Sequence, residues 1–342
     1  MIRLRRSCVA VPGSSEKMLR KAGENAAFGA DQFFLDLEDA VAPGVKEAAR
    51  ANVVAALNEY QFGKAIRVVR VNAADHPNCY GDIISVVEGA GRRLDCLMVP
   101  KVDNVSHVHF VDRLLDQMEQ TLGLPNKIGL ELQIETAEGL VNVDAIAAAS
   151  PRTETIIFGP GDFSANIGMP QLTVGAIDDR YPGDIWHYVL MRILMAARAN
   201  GHQAIDGPYA QIKDEAGLRE VAMRSYLMGF DGKWALHPGQ VEPLNEIYSP
   251  PLAAYERAEG IIEAYRKATE EDHLGAVMFG DEMIDEASRK MAEQLAIKGR
   301  LCGLDQKLAE QRRNGHGGPE GDPQQAGATP AGVYGGGAGG DK

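Results

Sequence analysis

Residues Cys8–Ser15 read CVAVPGSS: a short apolar run, then a turn built from Pro12, Gly13 and two serines. The run has the character of a strand buried on both faces, and the turn after it separates the two folds that such strands build. A doubly wound dinucleotide-binding sheet needs G-x-G-x-x-G after an early strand, so that backbone N–H groups can approach a pyrophosphate. VPGSS does not supply it. The chain therefore reads as an α/β protein of the (β/α)8 TIM-barrel class with a C-terminal helical extension.

Outward from this strand the same alternation repeats. Further strands are predicted at Gln32–Leu37, Ile66–Val71, Cys96–Pro100, Ile128–Ile134, Thr155–Phe158, Gln203–Ile205 and Lys233–Leu236, mostly continuous apolar runs. Helices are predicted at Ser14–Ala27, Val45–Tyr60, His107–Leu122, Trp186–Asn200 and Glu215–Met228. Val53, Ala56, Leu57 and Tyr60 form a helical stripe in the second of these, and Gly201 and Gly229 follow the last two as C-caps. Between Phe163 and Asp184 about twenty residues lack periodicity, the mark of a binding loop or lid. Residues 1–250 are assigned to the catalytic barrel. Residues 251–312 form an extension with helices at Leu252–Thr269 and Met283–Lys298, joined by the connector GAVMFGDEMIDEA. Residues 313–342 are glycine-rich, cannot bury a core and are expected to be disordered.

Bulk properties narrow the partners. The 342 residues carry 35 Lys and Arg against 48 Asp and Glu, a net charge of −13. That surface repels phosphate backbones and anionic lipid, so neither nucleic acid nor a membrane is expected. The four cysteines fit neither a disulfide framework nor a zinc motif. The N-terminal apolar run is too short for a signal peptide and no run is long enough to span a bilayer, so a cytoplasmic protein is expected.

Barrel active sites lie at the C-terminal ends of the strands. The strand exits carry Asp36, Glu38 and Asp39; Arg70 and Asn72; Lys101; Gln133 and Glu135; Asp162; Asp206; and His237. Glu135 and Asp162 leave neighbouring strands and suit Mg2+, a hard ion that keeps water ligands, with Mn2+ as a substitute. Taken singly, each also reads as a surface loop acid. Arg70 leaves an apolar run, and a buried arginine needs an anion. That anion is a substrate carboxylate, an internal partner such as Glu38 or Asp39, or both. Gly159 and Gly161 shape the turn before Asp162 and let backbone N–H groups approach a ligand, although Gly-Pro-Gly also makes ordinary turns. His237 and His187 read as structural, and Asp206 as either a turn or a site residue.

The strings VPGSSEKM, FLDLEDAV, VVRVN, MVPKV, QIETAEGL and FGPGDFSANIGM resemble the citrate lyase β-subunit-like (HpcH/HpaI aldolase) superfamily. DIWHYVLMRILMAARANG, AIDGPY, GFDGKWALHPGQVEPLNEIYSP and MIDEASRK are most similar to its L-malyl-CoA/β-methylmalyl-CoA lyase branch. The resemblance runs from about Arg3 to Arg300. It implies that Glu135 and Asp162 bind Mg2+, that Arg70 holds the carboxylate of glyoxylate, and that Glu38 and Asp39 support the metal's waters and that arginine. It also implies that Asp285 is brought over the thioester from a neighbouring subunit of a homotrimer or homohexamer. On spacing alone Asp285 reads as a helix N-cap.

The implied reaction is reversible retro-Claisen cleavage of a CoA thioester to glyoxylate and acetyl-CoA or propionyl-CoA. Metal acidifies the substrate hydroxyl, Asp285 moves the proton at the α-carbon, and N–H groups near Gly161 and Asp162 bind keto-acid oxygens. CoA phosphates call for local positive charge. Lys17, just after the first strand, is the candidate, though a solvated helix face explains it equally; Arg5 and Arg6 fall at that strand's other end. Three rival activities remain: citramalyl-CoA lyase, releasing pyruvate; a malyl-CoA thioesterase or malate-synthase-like enzyme; and a non-catalytic CoA-binding subunit.

Overall fold

The computed structural model describes residues 3–24, 29–170, 172–176 and 180–315; the glycine-rich tail from residue 316 lies outside them. The chain divides into two compact units, one through Tyr248 and one from Ser249.

In the first unit eight parallel strands close into a barrel in chain order. They are β1 (Ser7–Pro12), β2 (Gln32–Asp36), β3 (Ile66–Arg70), β4 (Cys96–Val99), β5 (Gly129–Ile134), β6 (Thr153–Phe158), β7 (Gln203–Asp206) and β8 (Gly232–Ala235). β8 returns to β1 with Cys8 opposite Trp234. Alternate residues face opposite sides. Val9, Phe33, Leu35, Val69 and Leu97 pack in one large core with the helices, whereas Cys8, Phe34, Val68, Met98, Ile157, Ile205 and Trp234 form a separate column inside the barrel. β5 is the exception: its alternate residues Glu131 and Gln133 are polar and fully buried, and Glu135 continues their spacing beyond the strand.

Glu131 has a partner at the N-terminal end of the barrel. Arg5, 1% exposed, donates to Gln32 at 2.9 Å, to Glu131 at 3.0 Å, and to Gln203 and Glu154 at 2.6 Å. A buried arginine is tolerable only when its N–H groups are paired in this way.

Among the described residues, α-helices surround the strands: α1 (Glu16–Gly23), α2 (Lys46–Glu59), α3 (Cys79–Ala90), α4 (Val105–Leu122), α5 (Ala137–Val141), α6 (Val143–Ala148), α7 (Pro160–Asn166), α8 (His187–Ala199), α9 (Glu215–Met228) and α10 (Val241–Ile247). All eight strands lie within two residues of their predicted ends. The helix α3 escaped prediction because β-branched residues and two glycines mask its period. Those glycines serve packing: a Cβ on Gly89 would stand 2.6 Å from Val54 of α2. The predicted loop from Phe163 begins later than expected, since α7 continues through Asn166. Beyond it, Ala210 N–H donates to Val174 O at 3.1 Å and Arg224 pairs with Asp184 at 2.9 Å. Phe158, Phe163 and Trp186 meet edge-to-face, with Trp186 5.2 Å from Phe158 and 6.3 Å from Phe163.

The second unit holds α11 (Leu252–Glu270), a hairpin of β9 (Ala276–Phe279) and β10 (Glu282–Asp285), α12 (Glu286–Leu301) and α13 (Leu304–Gly315). The expected connector is thus a hairpin, turning at Gly280 with φ 59°, and Met283–Asp285 belong to its second strand rather than to the following helix. α13 was not anticipated and carries the described chain past residue 312. No helix among the described residues is long and apolar enough to cross a membrane.

Candidate active site

Asp36 and Arg70 sit opposite each other at the ends of β2 and β3. The Asp36 carboxylate accepts from Arg70 Nε at 2.8 Å and from Nη2 at 2.7 Å. Its oxygens also accept the backbone N–H groups of Glu38 and Ala40, which fixes the LEDA turn. Arg70 Nη1 lies 3.1 Å from Glu38. Below, the guanidinium rests over the Trp234 and Phe34 rings, 5.4 and 5.8 Å from their centroids, a favourable cation–π placement. Burial works against its charge, yet Asp36 and Glu38 outweigh burial and raise its pKa further. Two of its five N–H donors bond Asp36, and Nη1 faces Glu38 as an ion pair, so N–H donors remain for an anion. The internal partner of Arg70 is therefore Asp36 with Glu38, and not Asp39.

Asp39 pairs instead with Lys101 Nζ, at 3.0 Å. The same ammonium contacts Glu38 and lies 3.7 Å from Asp162. Lys101 adopts φ 51°, a left-handed conformation uncommon for a lysine and worth attention at a site. Its backbone N–H donates to Glu135 Oε1, 3.0 Å away. Lys101 thereby joins residues from four strand exits.

Glu135 is 2% exposed. Burial pushes its carboxyl well above the usual range; Arg70 and Lys101 oppose the shift, and Asp162 and Glu38 add to it. Gly159 makes room for it, since a Cβ there would lie 2.4 Å from Glu135 Cγ and 2.6 Å from Oε2. At Gly161 a Cβ would meet only Val174, at 3.6 Å, so the tight glycine is Gly159. Asp162 stands in the first turn of α7, where the helix dipole favours a carboxylate. Burial likewise raises the Glu38 carboxyl, against Arg70 and Lys101. The Asp39 carboxyl is lowered: burial opposes this, but the Lys101 hydrogen bond prevails.

Glu135 and Asp162 are hard oxygen donors facing one mouth. Among the described residues no group of three or more His, Cys, Asp or Glu forms a ready-made metal cage. Two carboxylates, one of them buried with its charge under-compensated, fit a small divalent ion that retains waters. Gln133 Oε1, buried one alternate position below Glu135, has no hydrogen-bond partner.

Sequence reasoning missed Lys46. Its buried ammonium donates to the carbonyls of Leu37 and Glu38, at 2.8 and 2.9 Å, and to Asn72 at 2.9 Å. Asn72 is held in turn by Asp82. The detectable signal was a lysine in a first helical turn, where the dipole disfavours it. An open cavity of about 520 Å3 adjoins Lys46, Lys101, Glu38, Asp39 and His76.

The remaining candidates fall elsewhere. Lys17 is exposed on α1, outside this cluster. Asp206 is taken up by Lys233 at 2.6 Å, and His237 Nδ1 accepts from Gly239 at 3.1 Å, a turn cap. His187 is exposed at the start of α8. In the second unit Asp285 is the exposed N-cap of α12, accepting from Ala287 at 2.9 Å and Ser288 at 3.0 Å; those bonds hold its carboxyl below the ordinary value.

A family model described as HpcH/HpaI aldolase/citrate lyase matches residues 6–238, the barrel with this carboxylate-lined mouth. The chain belongs to the HpcH/HpaI aldolase/citrate lyase family. Among relatives, the L-malyl-CoA/β-methylmalyl-CoA lyase of Rhodobacter capsulatus is 37% identical over 88% of this chain and 96% of its own. The malyl-CoA/β-methylmalyl-CoA/citramalyl-CoA lyase of Chloroflexus aurantiacus is 33% identical over 78% of this chain and 80% of its own. The solved structure of CitE from Mycobacterium tuberculosis, in complex with magnesium, acetoacetate and coenzyme A, is 27% identical. It covers 87% of this chain and 97% of its own, with a TM-score of 0.66. Within this HpcH/HpaI chain, the barrel is the part matched by the family model, and Asp285 lies beyond that match.

Proposed function

We propose that the chain is a Mg2+-dependent CoA-ester lyase of the L-malyl-CoA/β-methylmalyl-CoA type, cleaving its substrate to glyoxylate and acetyl-CoA or propionyl-CoA. The observation that carries this reading is the convergence of Glu135 and Asp162 with Arg70 at the C-terminal mouth of the barrel. The magnesium and coenzyme A of the M. tuberculosis relative, and the names of the two lyases, support it.

Glu135 and Asp162 would hold Mg2+, which supplies Lewis-acid polarisation of a carbonyl or hydroxyl oxygen. Arg70, already oriented by Asp36, offers its remaining N–H donors to the carboxylate of the 2-oxo acid. Glu38, tied to both Arg70 and Lys101, keeps the anion-binding and metal-binding sides in register. The N–H groups of Gly161 and Asp162 open α7 toward the same mouth and bind substrate oxygen. In the condensation direction Asp285 takes a proton from the carbon α to the thioester; in cleavage it returns one. Lys17 is assigned to the phosphate end of CoA. The active assembly is a homotrimer or homohexamer in which a neighbouring copy contributes Asp285.

The test offers malyl-CoA, β-methylmalyl-CoA and citramalyl-CoA with and without EDTA, and measures glyoxylate, pyruvate and free CoA separately. Glyoxylate formed from the first two and abolished by EDTA is the expected result. Pyruvate from the third would extend the activity to that of the Chloroflexus relative. Free CoA released at the same rate would replace the lyase with a thioesterase or synthase. No turnover of any substrate would sink the activity and leave a CoA-binding subunit.

A further inference from the structure

Lys101 has no assigned chemical step in the reaction outlined above, yet it touches carboxylates from three other strand exits. Its ammonium contacts Glu38, stands 3.0 Å from Asp39 and 3.7 Å from Asp162, and its backbone N–H holds Glu135 at 3.0 Å. Lys101 also holds a left-handed φ of 51°, a conformation that costs energy for a residue with a Cβ.

The local charge explains why such a residue is kept. Asp36, Glu38, Asp39, Glu135 and Asp162 bring five carboxylates together, opposed by Arg70 and Lys101. A divalent cation would leave this set at about −1, and the substrate that must enter is itself an anion. Without the Lys101 ammonium the set would stand at about −2, which would attract the metal more strongly and repel a carboxylate.

We propose that Lys101 is a positioning and charge-setting residue that weakens divalent-cation binding in order to admit an anionic 2-oxo acid. The inference rests on the metal-site reading above, and concerns one residue's opposite effects on two ligands. Its ammonium competes with the cation for Glu38, Asp39 and Asp162, and compensates those same carboxylates when a carboxylate substrate arrives at Arg70.

The experiment uses the full chain and its K101M, K101Q and K101R variants. Mg2+ binding is measured by calorimetry and Mn2+ binding by electron paramagnetic resonance, with glyoxylate KM measured in the condensation direction. K101M and K101Q are expected to bind either metal about threefold more tightly, the middle of the range for a partly exposed charge, while glyoxylate KM rises at least as much. K101R is expected to restore both values toward wild type. A merely structural role would weaken both ligands together, so metal binding that is unchanged or weaker in K101M and K101Q overturns the proposal. Tighter metal binding with unchanged glyoxylate KM overturns it too. Absence of Mg2+ and Mn2+ binding by the wild type would remove the metal-site reading itself, and this inference with it. Thermal melts of each variant separate misfolding from a change of affinity, and K101Q serves where K101M does not fold.

Discussion

Asp36 grips Arg70 side-on, through parallel hydrogen bonds of 2.8 and 2.7 Å between adjacent strand ends. This clamp consumes one edge of the guanidinium and directs the rest of it toward the mouth. Lysine keeps the charge but has no fork to be gripped. R70K is therefore expected to lose about 100-fold or more in kcat/KM, the scale of an ångström-level misplacement. D36N is expected to lose about 3–5 kcal/mol of stability, because it leaves a buried cation half-paired. Steady-state kinetics and denaturant melts check the two expectations separately.

Glu135 is a stability liability in the metal-free chain. Its folded-state pKa is raised by burial, so the folded form holds a proton that the unfolded form releases near about pH 4.3. Metal-free stability should then fall as pH rises from that value toward the raised one. E135Q imitates the protonated form and should melt higher than wild type without metal, with a gap that widens over this pH window. Mg2+ should raise the melting temperature of wild type and leave E135Q unmoved. Equal melting of both proteins at all pH values, without metal, would show that Glu135 carries no buried-charge cost.

Gly159 gives Glu135 its space. An alanine there would press a methyl to within 2.4 Å of Glu135 Cγ. G159A is expected to cost about 1–3 kcal/mol through overpacking, and to weaken Mg2+ binding by roughly 10–100-fold, as disturbance of a ligand's support does. G161A, with only a 3.6 Å contact, should leave the Mg2+ affinity close to wild type. Calorimetric titration of the two variants side by side distinguishes them.

Asp285 combines a cap with a carboxylate, and one substitution separates these roles. Serine caps a helix about as well as aspartate, so D285S should melt within about 0.5 kcal/mol of wild type, whereas D285A should lose about 0.5–2 kcal/mol. If Asp285 moves the α-proton, both variants lose exchange of acetyl-CoA α-hydrogens in deuterated buffer. Retained exchange in D285S would reduce Asp285 to its cap.

The barrel was legible in sequence because strands buried on both faces appear as uninterrupted apolar runs, and because strand exits in this fold supply the active-site residues. That rule alone put Arg70, Glu135 and Asp162 forward as candidates, and the structure brings them to one mouth. Lys101 stood in the same set but received no role, since its significance lies in a backbone torsion and in contacts with three other strand exits, none of them local in sequence. Asp36 was noted and passed over in favour of Glu38 and Asp39. Strand parity explains the outcome: Asp36 lies level with Arg70 in the β2–β3 register, while Asp39 lies beyond the strand. The β9–β10 hairpin escaped because its eight residues alternate only weakly and pass directly into α12.

Arg5, paired to Gln32, Glu131, Glu154 and Gln203 at the far end of the barrel, ties β2, β5, β6 and β7 together at its base. Above it, the Phe34 and Trp234 rings lie under the Arg70 guanidinium, 5.8 and 5.4 Å from it. On the proposed activity, the thioester and both products would use the C-terminal mouth. Each product held at that mouth would then compete with the incoming thioester, and product-inhibition kinetics would read that competition directly.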